Sequence, residues 1–465
     1  MKDKIDMAAD IPQSILANKD LIPSQQTWSW YNIFAFWMSD VHSAGGYIFA
    51  GTLFSLGLAG WQVFISLIAG ILIILVLANI IGVPSQKFAI PFPVISRMTY
   101  GVFGSNIPAL IRGIIAIVWY GIQTYLASAA LMVVVLYEFP SLISYHESSY
   151  FGLSPLGWGC FLVMWLLQTA LFLCRLEDWA GPIVYLAMLG LMVLIVGRAG
   201  WENISFTLSE TEMSVSQTAW TMLLGAALVV SYFAGPTLNF GDFSRYAKTI
   251  SDMKKGNFWG LPVNFLFFSL ISVVTISGTR AVFGELIVDP IAVMGRLDNK
   301  AAVLLLGLTM LVATVGVNIV ANFVSAAFDI SNIFPKYISW RKGGMLASIV
   351  SVLILPWNLF SSPEVIHLTV DLLAALIGPV YGILIVDYYL VKRGKISVAD
   401  LYSTSSTSLY WYRHGVNWQA VGALLPAGAA SILVMLLDNG TGWANFTFFI
   451  GGILAAAIYL CIARR

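Results

Sequence analysis

The feature that most constrains the fold of this chain is a succession of apolar runs, each about as long as a membrane is thick. A bilayer core of about 30 Å needs roughly 20 apolar residues per helix. Only 10% of the residues are charged and 59% are hydrophobic, which excludes an ordinary soluble protein. The sequence therefore predicts an all-α polytopic membrane protein with twelve transmembrane helices. The twelve runs lie at 28–56, 61–82, 107–137, 156–174, 178–198, 218–240, 258–279, 301–328, 343–361, 365–391, 417–437 and 442–463.

Basic residues are distributed unevenly between the two sides of such a bundle. If the N-terminus is cytoplasmic, only four of the 24 Lys and Arg residues fall on the outside. This asymmetry follows the positive-inside rule, so both termini are expected in the cytoplasm. No segment between the runs is long enough to form a separate soluble domain. The four external residues are Arg198, Arg280, Arg296 and Lys300.

Charge balance and the counts of metal-binding residue types exclude several classes of protein. The 24 Lys and Arg residues face 23 Asp and Glu residues, so no basic excess exists for nucleic acid. Three cysteines in apolar runs argue against a disulfide framework or a zinc cluster. The four histidines have no metal-ligand spacing, and an intramembrane enzyme would lack its catalytic constellation. No enzyme activity, metal or cofactor is expected.

The first and sixth runs are interrupted by polar or helix-breaking residues. The first run contains the polar stretch 39–46, and the sixth contains Gly235-Pro236 within 233–237. Proline removes a backbone donor and glycine lowers helix stability, so both helices are expected to break there. Matching interruptions indicate two inverted five-helix repeats, 28–198 and 218–391, typical of a secondary transporter with a midplane site. The alternative is that glycine and proline are simply frequent in membrane helices.

Two pairs of polar-edged residues lie in the third and eighth runs. Trp119 and Gln123 are four residues apart, as are Asn318 and Asn322, so each pair shares a helix face. An indole offers a stacking surface, and a carboxamide offers donors and acceptors that match a cyclic amide. These residues predict a site for a small planar neutral ligand. Hydrogen bonding between helices is the alternative role for each amide.

Asp40 and His42 stand beside the interruption of the first run. A charge at the bilayer centre costs roughly 2.5–3.5 kcal/mol, so Asp40 must face water, a partner or a proton. It is interpreted either as a carboxylate that carries a coupling proton or as a helix cap or partner of His42. Asp371 in the tenth run has the same ambiguity. The charged residues near cytoplasmic helix ends are interpreted as structural: Asp242, Arg245, Asp329 and Asp387.

Six short motifs are spread over nearly the whole chain. They are Phe92-Pro-Val-x-x-Arg97-x-x-Tyr100-Gly101, Trp119-Tyr-Gly-x-Gln123, Gly241-Asp242-Phe-x-Arg245, Asn318-x-x-x-Asn322, Gly378-Pro379-x-x-Gly382-x-x-x-x-Asp387-Tyr388 and Arg393-Gly-Lys395-Ile-x-x-x-Asp400-Leu401-Tyr402. Together they resemble the nucleobase:cation symporter-1 family, which includes bacterial hydantoin and allantoin permeases and fungal uracil permeases. The resemblance implies ten helices in two inverted repeats, as in the leucine-transporter fold, followed by two peripheral helices.

The resemblance also implies a ligand sandwiched between aromatic side chains of helices 3 and 6. By motif position Trp119 is the helix-3 platform, and Phe233 stands where the family usually has tryptophan. The helix-1 position that is Gln or Asn in hydantoin and allantoin permeases is Ser43, so substrate identity does not transfer. The predicted substrate-binding residues are Ser43, Trp119, Gln123, Phe233, Gly235, Asn318 and Asn322.

For the cation site, the resemblance holds at only some of the ligand positions. In the sodium-dependent members, five oxygens form the cation site. Three are backbone carbonyls at the positions of Ser39, His42 and Ala313, and two are hydroxyls. Here the hydroxyl positions are Gly316 and Val317. A hard cation prefers several oxygen ligands, and two are missing. We therefore expect protons rather than sodium to drive transport, with Asp40 as the carrier and His42 as its possible partner.

The sequence thus predicts a plasma (inner) membrane symporter that imports a small cyclic amide of the uracil, allantoin or hydantoin type. The alternatives are a nucleoside, a vitamin-like heterocycle or an amino acid on the same fold, or sodium coupling. The expected partners are the small-molecule substrate and the lipid bilayer, without nucleic acid, and the protein is expected to be a monomer. The predicted segments are 1–27 at the cytoplasmic N-terminus, 28–391 as transport core, 392–416 as cytoplasmic linker, and 417–465 as two peripheral helices with a short tail.

Overall fold

The computed structural model describes residues 21–174, 180–207, 209 and 211–463, apart from the side chains of 173, 174, 180–184, 313 and 320. Most of the predicted N-terminal segment, residues 1–20, lies outside the described residues. Within them the regular secondary structure is helical, and β pairing is limited to isolated bridges.

The α-helices follow one another with short connections. They are α1 (Trp30–Val41), α2 (Ala44–Thr52), α3 (Gly60–Phe88), α4 (Phe92–Ile95), α5 (Arg97–Tyr100), α6 (Asn106–Glu138), α7 (Pro155–Cys174), α8 (Ala180–Ala199), α9 (Val215–Leu238), α10 (Gly241–Ser244), α11 (Ile250–Phe258), α12 (Asn264–Phe283), α13 (Pro290–Gly295), α14 (Lys300–Asn318), α15 (Val324–Ile333), α16 (Trp340–Leu353), α17 (Pro363–Val386), α18 (Val398–Tyr402), α19 (Trp418–Leu437) and α20 (Thr447–Ala463). Three π-helical segments continue or join them: Trp259–Val263, Ile319–Phe323 and Asp387–Val391.

Nine helical stretches within the described residues are long and apolar enough to cross a membrane. Two shorter apolar helices, Ala44–Leu56 and Tyr185–Ala199, lie in the first and fifth predicted runs. Helix α16 lies in the ninth run and has 14 residues. The protein is therefore an all-α polytopic membrane protein, as predicted, while the number of twelve spans stays a prediction.

The interruption of the first run is present where the polar stretch predicts it. Helix α1 ends at Val41, and α2 begins at Ala44. The side chain of Ser43 accepts a hydrogen bond of 3.0 Å from the backbone N–H of Gly46. Serine is a preferred N-cap because its hydroxyl satisfies a free N–H of the first turn. The break is thus built into the sequence by a cap at the start of the second half-helix.

The sixth run differs from the prediction, because α9 continues through 233–237 and ends only at Leu238. Pro236 removes a single N–H donor, and the remaining hydrogen bonds carry the helix past it. The interruption falls instead at Asn239, whose side chain bonds to residues of other helices, and the short helix α10 follows. Tertiary hydrogen bonds therefore set the end of this helix.

The eighth run contains a π segment that sequence patterns did not predict. Residues Ile319–Phe323 form it between α14 and α15, and Asn322 lies within it. A π-helical turn rotates the following side chains relative to a regular α-helix, and such turns are frequent at functional sites. This segment aims Asn322 toward the centre of the bundle.

The peripheral helix α20 attaches to the core through glycines. A Cβ atom at Gly378 or Gly382 of α17 would collide with the backbone carbonyl of Phe448 or Gly452 in α20. Small residues allow membrane helices to approach this closely. Inside the bundle, α6 packs along α14 and α15, and α9 packs along α3 and α17. The centre of the molecule is where these packed pairs meet the α1–α2 break.

Candidate functional site

A small cavity lies where the α1–α2 break, α6, α9 and the Ile319–Phe323 segment meet. Its volume is about 20 Å³, which is room for about one water molecule. The cavity brings together five of the predicted substrate-binding and cation-coupling residues: Asp40, Ser43, Trp119, Gln123 and Asn322. The other lining residues are Tyr232, Pro236, Val317 and Ala321.

Aromatic side chains form one wall of this cavity. The rings of Trp119 and Tyr232 meet edge to face, with centroids 4.9 Å apart and planes at 71°. Tyr232 in turn stacks on Phe49, with centroids 4.4 Å apart. Edge-to-face contact is a favoured aromatic geometry. Because Trp119 and Tyr232 touch directly, a flat ligand can lie between them only after one of the two rings moves aside.

Phe233 does not line this cavity, which corrects the expectation that it lies opposite Trp119. Its ring is 2% exposed and packs against Tyr232 and Phe265, with centroids 5.1 and 5.5 Å away. Consecutive helical residues point about 100° apart, so Tyr232 and Phe233 face different neighbours. Motif position indicated Phe233, whereas the packing of α9 turns Tyr232 toward the site.

Two hydrogen-bond acceptors in the cavity wall have no partner among the residues that the structure describes. They are Gln123 Oε1 and Asp40 Oδ2, and both are buried. Gly45 allows Gln123 to come this close to α2, because a Cβ there would lie 2.8 Å from Gln123 Nε2. An unpaired buried acceptor costs about 1–3 kcal/mol. The wall is therefore complementary to a ligand that presents N–H groups.

The two asparagines of the eighth run take different positions. Asn318 is fully buried behind the cavity, where its Nδ2 donates to the Tyr120 carbonyl at 2.9 Å and to Gln168 Oε1 at 2.6 Å. Its Oδ1 accepts a 3.0 Å hydrogen bond from Asn322 Nδ2. Asn318 thus joins helices and orients Asn322, which lines the cavity. Gly235 also lies outside the lining, 3.8 Å from Ile115 as measured from an added Cβ.

His42 is not paired with Asp40. Its Nε2 lies 3.0 Å from Asn264 Oδ1, which can only accept, so Nε2 carries the hydrogen. Its Nδ1 therefore accepts from the Tyr47 hydroxyl at 2.8 Å. Both ring nitrogens are satisfied by residues of α2 and α12. The predicted partnership of Asp40 and His42 is replaced by an imidazole that ties the break to α12.

The remaining residues of the predicted cation site lie on two helices. Ser39 is half-buried in the last turn of α1, and Gly316 is buried in α14. Val317 lines the cavity with an apolar side chain. Ala313 lies on α14, and its side chain is outside the described residues. In the part of the chain that the structure describes, no group of three His, Cys, Asp or Glu residues could hold a metal ion.

A buried charge cluster that the sequence analysis did not assign to the site lies next to it. Arg112 is 1% exposed, and its Nε donates to Asn239 Oδ1 at 2.9 Å. Asn239 Nδ2 donates to Asp242 Oδ2 at 3.1 Å. Both carboxylate oxygens of Asp329 and one terminal nitrogen of Arg112 are buried and have no hydrogen bond within the described part of the chain. The positive charge of Arg112 acts on the carboxyl groups of Asp329, Asp242 and Asp40, and that of Arg245 also acts on Asp242; Asp40 lines the cavity.

Only a weak signal in the sequence pointed to this cluster. Asp329 follows Asn322 by seven residues, a spacing that places two residues near one helix face. Asp242 and Asp329 were interpreted as structural because they lie near helix ends. Their burial beside Arg112 depends on the contact of α6 with α15, which no local pattern encodes.

Comparison with known proteins gives consistent results. A family described as permease for cytosine/purines, uracil, thiamine and allantoin matches residues 21–455. The allantoin permease of Bacillus subtilis is 32% identical over 459 residues, covering 97% of this chain and 93% of that protein. The purine-uracil permease NCS1 of Arabidopsis thaliana is 33% identical over 472 residues, covering 97% and 78%.

Solved structures share the fold. Mhp1 in its inward-facing conformation matches with a TM-score of 0.76 and 23% identity, covering 96% of this chain and 93% of that chain. MhsT in complex with L-phenylalanine matches with a TM-score of 0.56 and 14% identity, covering 94% and 99%.

Proposed function

The chain belongs to the nucleobase:cation symporter-1 family of permeases, and from this premise we propose that it imports a small planar cyclic amide of the uracil, allantoin or hydantoin type. Its relatives are named permeases, and the protein is a multi-pass membrane transporter rather than an enzyme. Transport proceeds by alternating access around the central cavity, in a plasma membrane with both termini in the cytoplasm.

The observation that carries this proposal is the pairing of an aromatic wall with two unpartnered acceptors. Gln123 Oε1 and Asp40 Oδ2 lie in the wall of the cavity that Trp119 also lines. A cyclic amide stacks its plane on an aromatic ring and offers N–H donors at its edge. The carboxylate of an amino acid would instead face Gln123 Oε1, which can only accept a hydrogen bond, and this disfavours an amino acid.

The names of the relatives support the same class of substrate. One is named an allantoin permease and another a purine-uracil permease, and a structure of Mhp1 has bromovinylhydantoin bound. Ser43 occupies the helix-1 position that differs from the hydantoin and allantoin permeases. We therefore assign the class of ligand and leave the individual heterocycle to experiment.

A thermal-shift screen of the purified protein tests the proposal. We expect uracil, allantoin or hydantoin to raise the melting temperature, and uridine and phenylalanine to leave it unchanged. Trp119→Ala should abolish the shift, and Gln123→Ala should weaken binding by about 1–3 kcal/mol, the cost of an unpaired polar edge. Gln419→Ala, at an exposed glutamine, is the matched control. A shift by phenylalanine alone, or wild-type responses in both site variants, would contradict the assignment.

A matched pair of leucine variants tests which residue of α9 meets the ligand. Tyr232→Leu should weaken ligand binding by about 1–3 kcal/mol, the value of stacking on an aromatic face. Phe233→Leu should leave affinity nearly unchanged, because its ring packs on Phe265 outside the cavity. Isothermal titration with the ligand found in the screen measures both. The reverse ranking would show that motif position, and not the cavity wall, identifies the platform.

We further propose that the coupling ion is the proton and that Asp40 carries it. Asp40 is 8% exposed, lines the cavity and has an oxygen without a hydrogen bond. Val317 presents an apolar side chain to the same cavity, at a position where sodium-dependent members have a hydroxyl. A hard cation gains little from such a wall, whereas a proton needs only one acceptor.

A further inference from the structure

A groove on the outer surface of the bundle shares no residue with the central cavity. Its volume is about 390 Å³, within the roughly 300–1,000 Å³ of sites that hold whole small molecules. One wall belongs to α3 and the other to the end of α17 with the Asp387–Val391 segment. The lining is mostly apolar: Asn79, Ile80, Val83, Ile385, Val386, Tyr389 and Leu390, with Lys254 of α11 at one edge.

A proline inside a helix leaves one backbone carbonyl without its helical hydrogen bond. Along this groove that carbonyl is paired with a side chain instead. Pro84 lacks an N–H, so the Ile80 carbonyl four residues earlier has no helical partner. The Tyr389 hydroxyl donates to that carbonyl at 2.9 Å. An unsatisfied carbonyl would exclude acyl chains, because hydrocarbon offers it no donor. With the carbonyl satisfied, the wall between α3 and α17 is suited to hydrocarbon.

Two exposed lysines lie at the groove: Lys254 in its lining and Lys87 one helical turn beyond it on α3. Lys254 is exposed and makes no ion pair with any residue that the structure describes. Lys87 follows Val83 by four residues and Ile80 by seven, so it extends the groove-lining face of α3 by one turn. Lys87 is exposed, and its Nζ lies 3.4 Å from the Gly394 carbonyl in the linker that follows α17. An apolar slot with one lysine in its lining and a second lysine one turn further along α3 matches an amphiphile with an anionic head.

We propose that this groove binds an anionic phospholipid, with one acyl chain between α3 and α17 and the phosphate at Lys254 and Lys87. The spanning helices present this surface to the bilayer, where phospholipids are the available amphiphiles, and basic pockets between helices bind anionic head groups. The leaflet is the cytoplasmic one, given the proposed orientation of the chain. This site is independent of the central cavity and of the transported solute.

Native mass spectrometry of the detergent-purified full-length protein tests the site with two added lipids. Phosphatidylglycerol and phosphatidylcholine with identical acyl chains are titrated separately. We expect phosphatidylglycerol to be retained with about fivefold or greater preference, which is the discrimination one basic residue gives near an anionic head group. Lys254→Gln should lower that preference about fivefold. Lys336→Gln, at an exposed lysine of the loop before α16, is the control and should keep it.

A second variant separates the groove from general attraction to positive charge. Leu390 is 52% exposed, so Leu390→Asn is tolerated by the fold while placing a polar side chain in the slot. It should reduce retention of both lipids. Equal retention of the two lipids by the wild type would overturn the proposal, as would a Lys254→Gln protein that behaves like Lys336→Gln. Unchanged retention by Leu390→Asn would overturn the acyl-chain site. All of these readings are taken without a transported solute.

Discussion

Replacing Arg112 with methionine is expected to destabilise the protein by about 3–5 kcal/mol, the cost of breaking a buried charge cluster by removing one partner. Arg112 is 1% exposed, and its positive charge acts on the carboxyl groups of Asp329, Asp242 and Asp40. Methionine keeps an unbranched apolar side chain but removes this charge, while the buried Arg245 still acts on Asp242. The unfolding transition in detergent, followed by intrinsic fluorescence or circular dichroism, measures the loss.

Two further variants show whether the loss of stability comes from removing the charge of Arg112 or from a change in packing. Arg296→Met removes one partner of the Arg296–Glu285 pair, whose side chains are 51% and 56% exposed, and should cost at most about 1 kcal/mol. Adding Asp329→Asn to Arg112→Met should recover much of the stability, because it removes a buried carboxylate that has no hydrogen bond to any residue the structure describes. If Arg112→Met destabilises the protein no more than Arg296→Met does, the charge of Arg112 does not stabilise the buried carboxylates.

The fold was predictable from the sequence because membrane constraints act locally. The length of each apolar run, the basic residues between runs and the polar stretch 39–46 each depend on neighbouring residues only. The all-α architecture and the break at His42 and Ser43 are therefore confirmed. The leucine-transporter-like fold, which the family resemblance implied, is confirmed by the match to Mhp1.

The features that were predicted wrongly, or not predicted, depend on distant residues. Helix α9 ends at Leu238 because Asn239 bonds to Arg112, which lies 127 residues earlier. His42 bonds to Asn264, 222 residues away, instead of to its neighbour Asp40. The rotation of α9 that brings Tyr232 into the cavity follows from its packing on α3 and α17. A motif fixes which residue types are present, but only tertiary packing fixes which of two adjacent rings faces the site.

The difference between what local sequence predicts and what tertiary packing decides also applies to three buried aspartates. Asp40 was identifiable because a carboxylate beside a broken membrane helix is costly wherever the chain folds. Asp329 was interpreted as structural because it lies near a helix end, and only the structure shows that both its oxygens are buried without a partner. Asp371 has one such oxygen, but its other oxygen accepts from Asn445 beside the peripheral helix α20. Three buried acids thus have three different environments that the sequence did not distinguish.

Asp40→Asn is expected to abolish accumulation of the solute driven by a pH gradient while leaving binding and exchange in place. Asparagine has nearly the shape of aspartic acid but cannot release or accept the coupling proton. In the wild type with one proton per solute, each pH unit of gradient supports about tenfold accumulation, because it is worth about 1.4 kcal/mol. Uptake of the labelled ligand into proteoliposomes, with the outside acidic and sodium absent, measures accumulation, and counterflow at equal pH measures exchange.

Asp371→Asn is the matched control for this experiment, because Asp371 is also a buried membrane acid but faces the peripheral helices instead of the cavity. It should accumulate solute like the wild type. The expected pattern is therefore loss of accumulation in Asp40→Asn alone, with counterflow preserved in both variants. Accumulation by Asp40→Asn at the wild-type level would remove Asp40 as the proton carrier. Uptake by the wild type that requires sodium and ignores the pH gradient would show that the oxygen ligands lost at Gly316 and Val317 are supplied elsewhere.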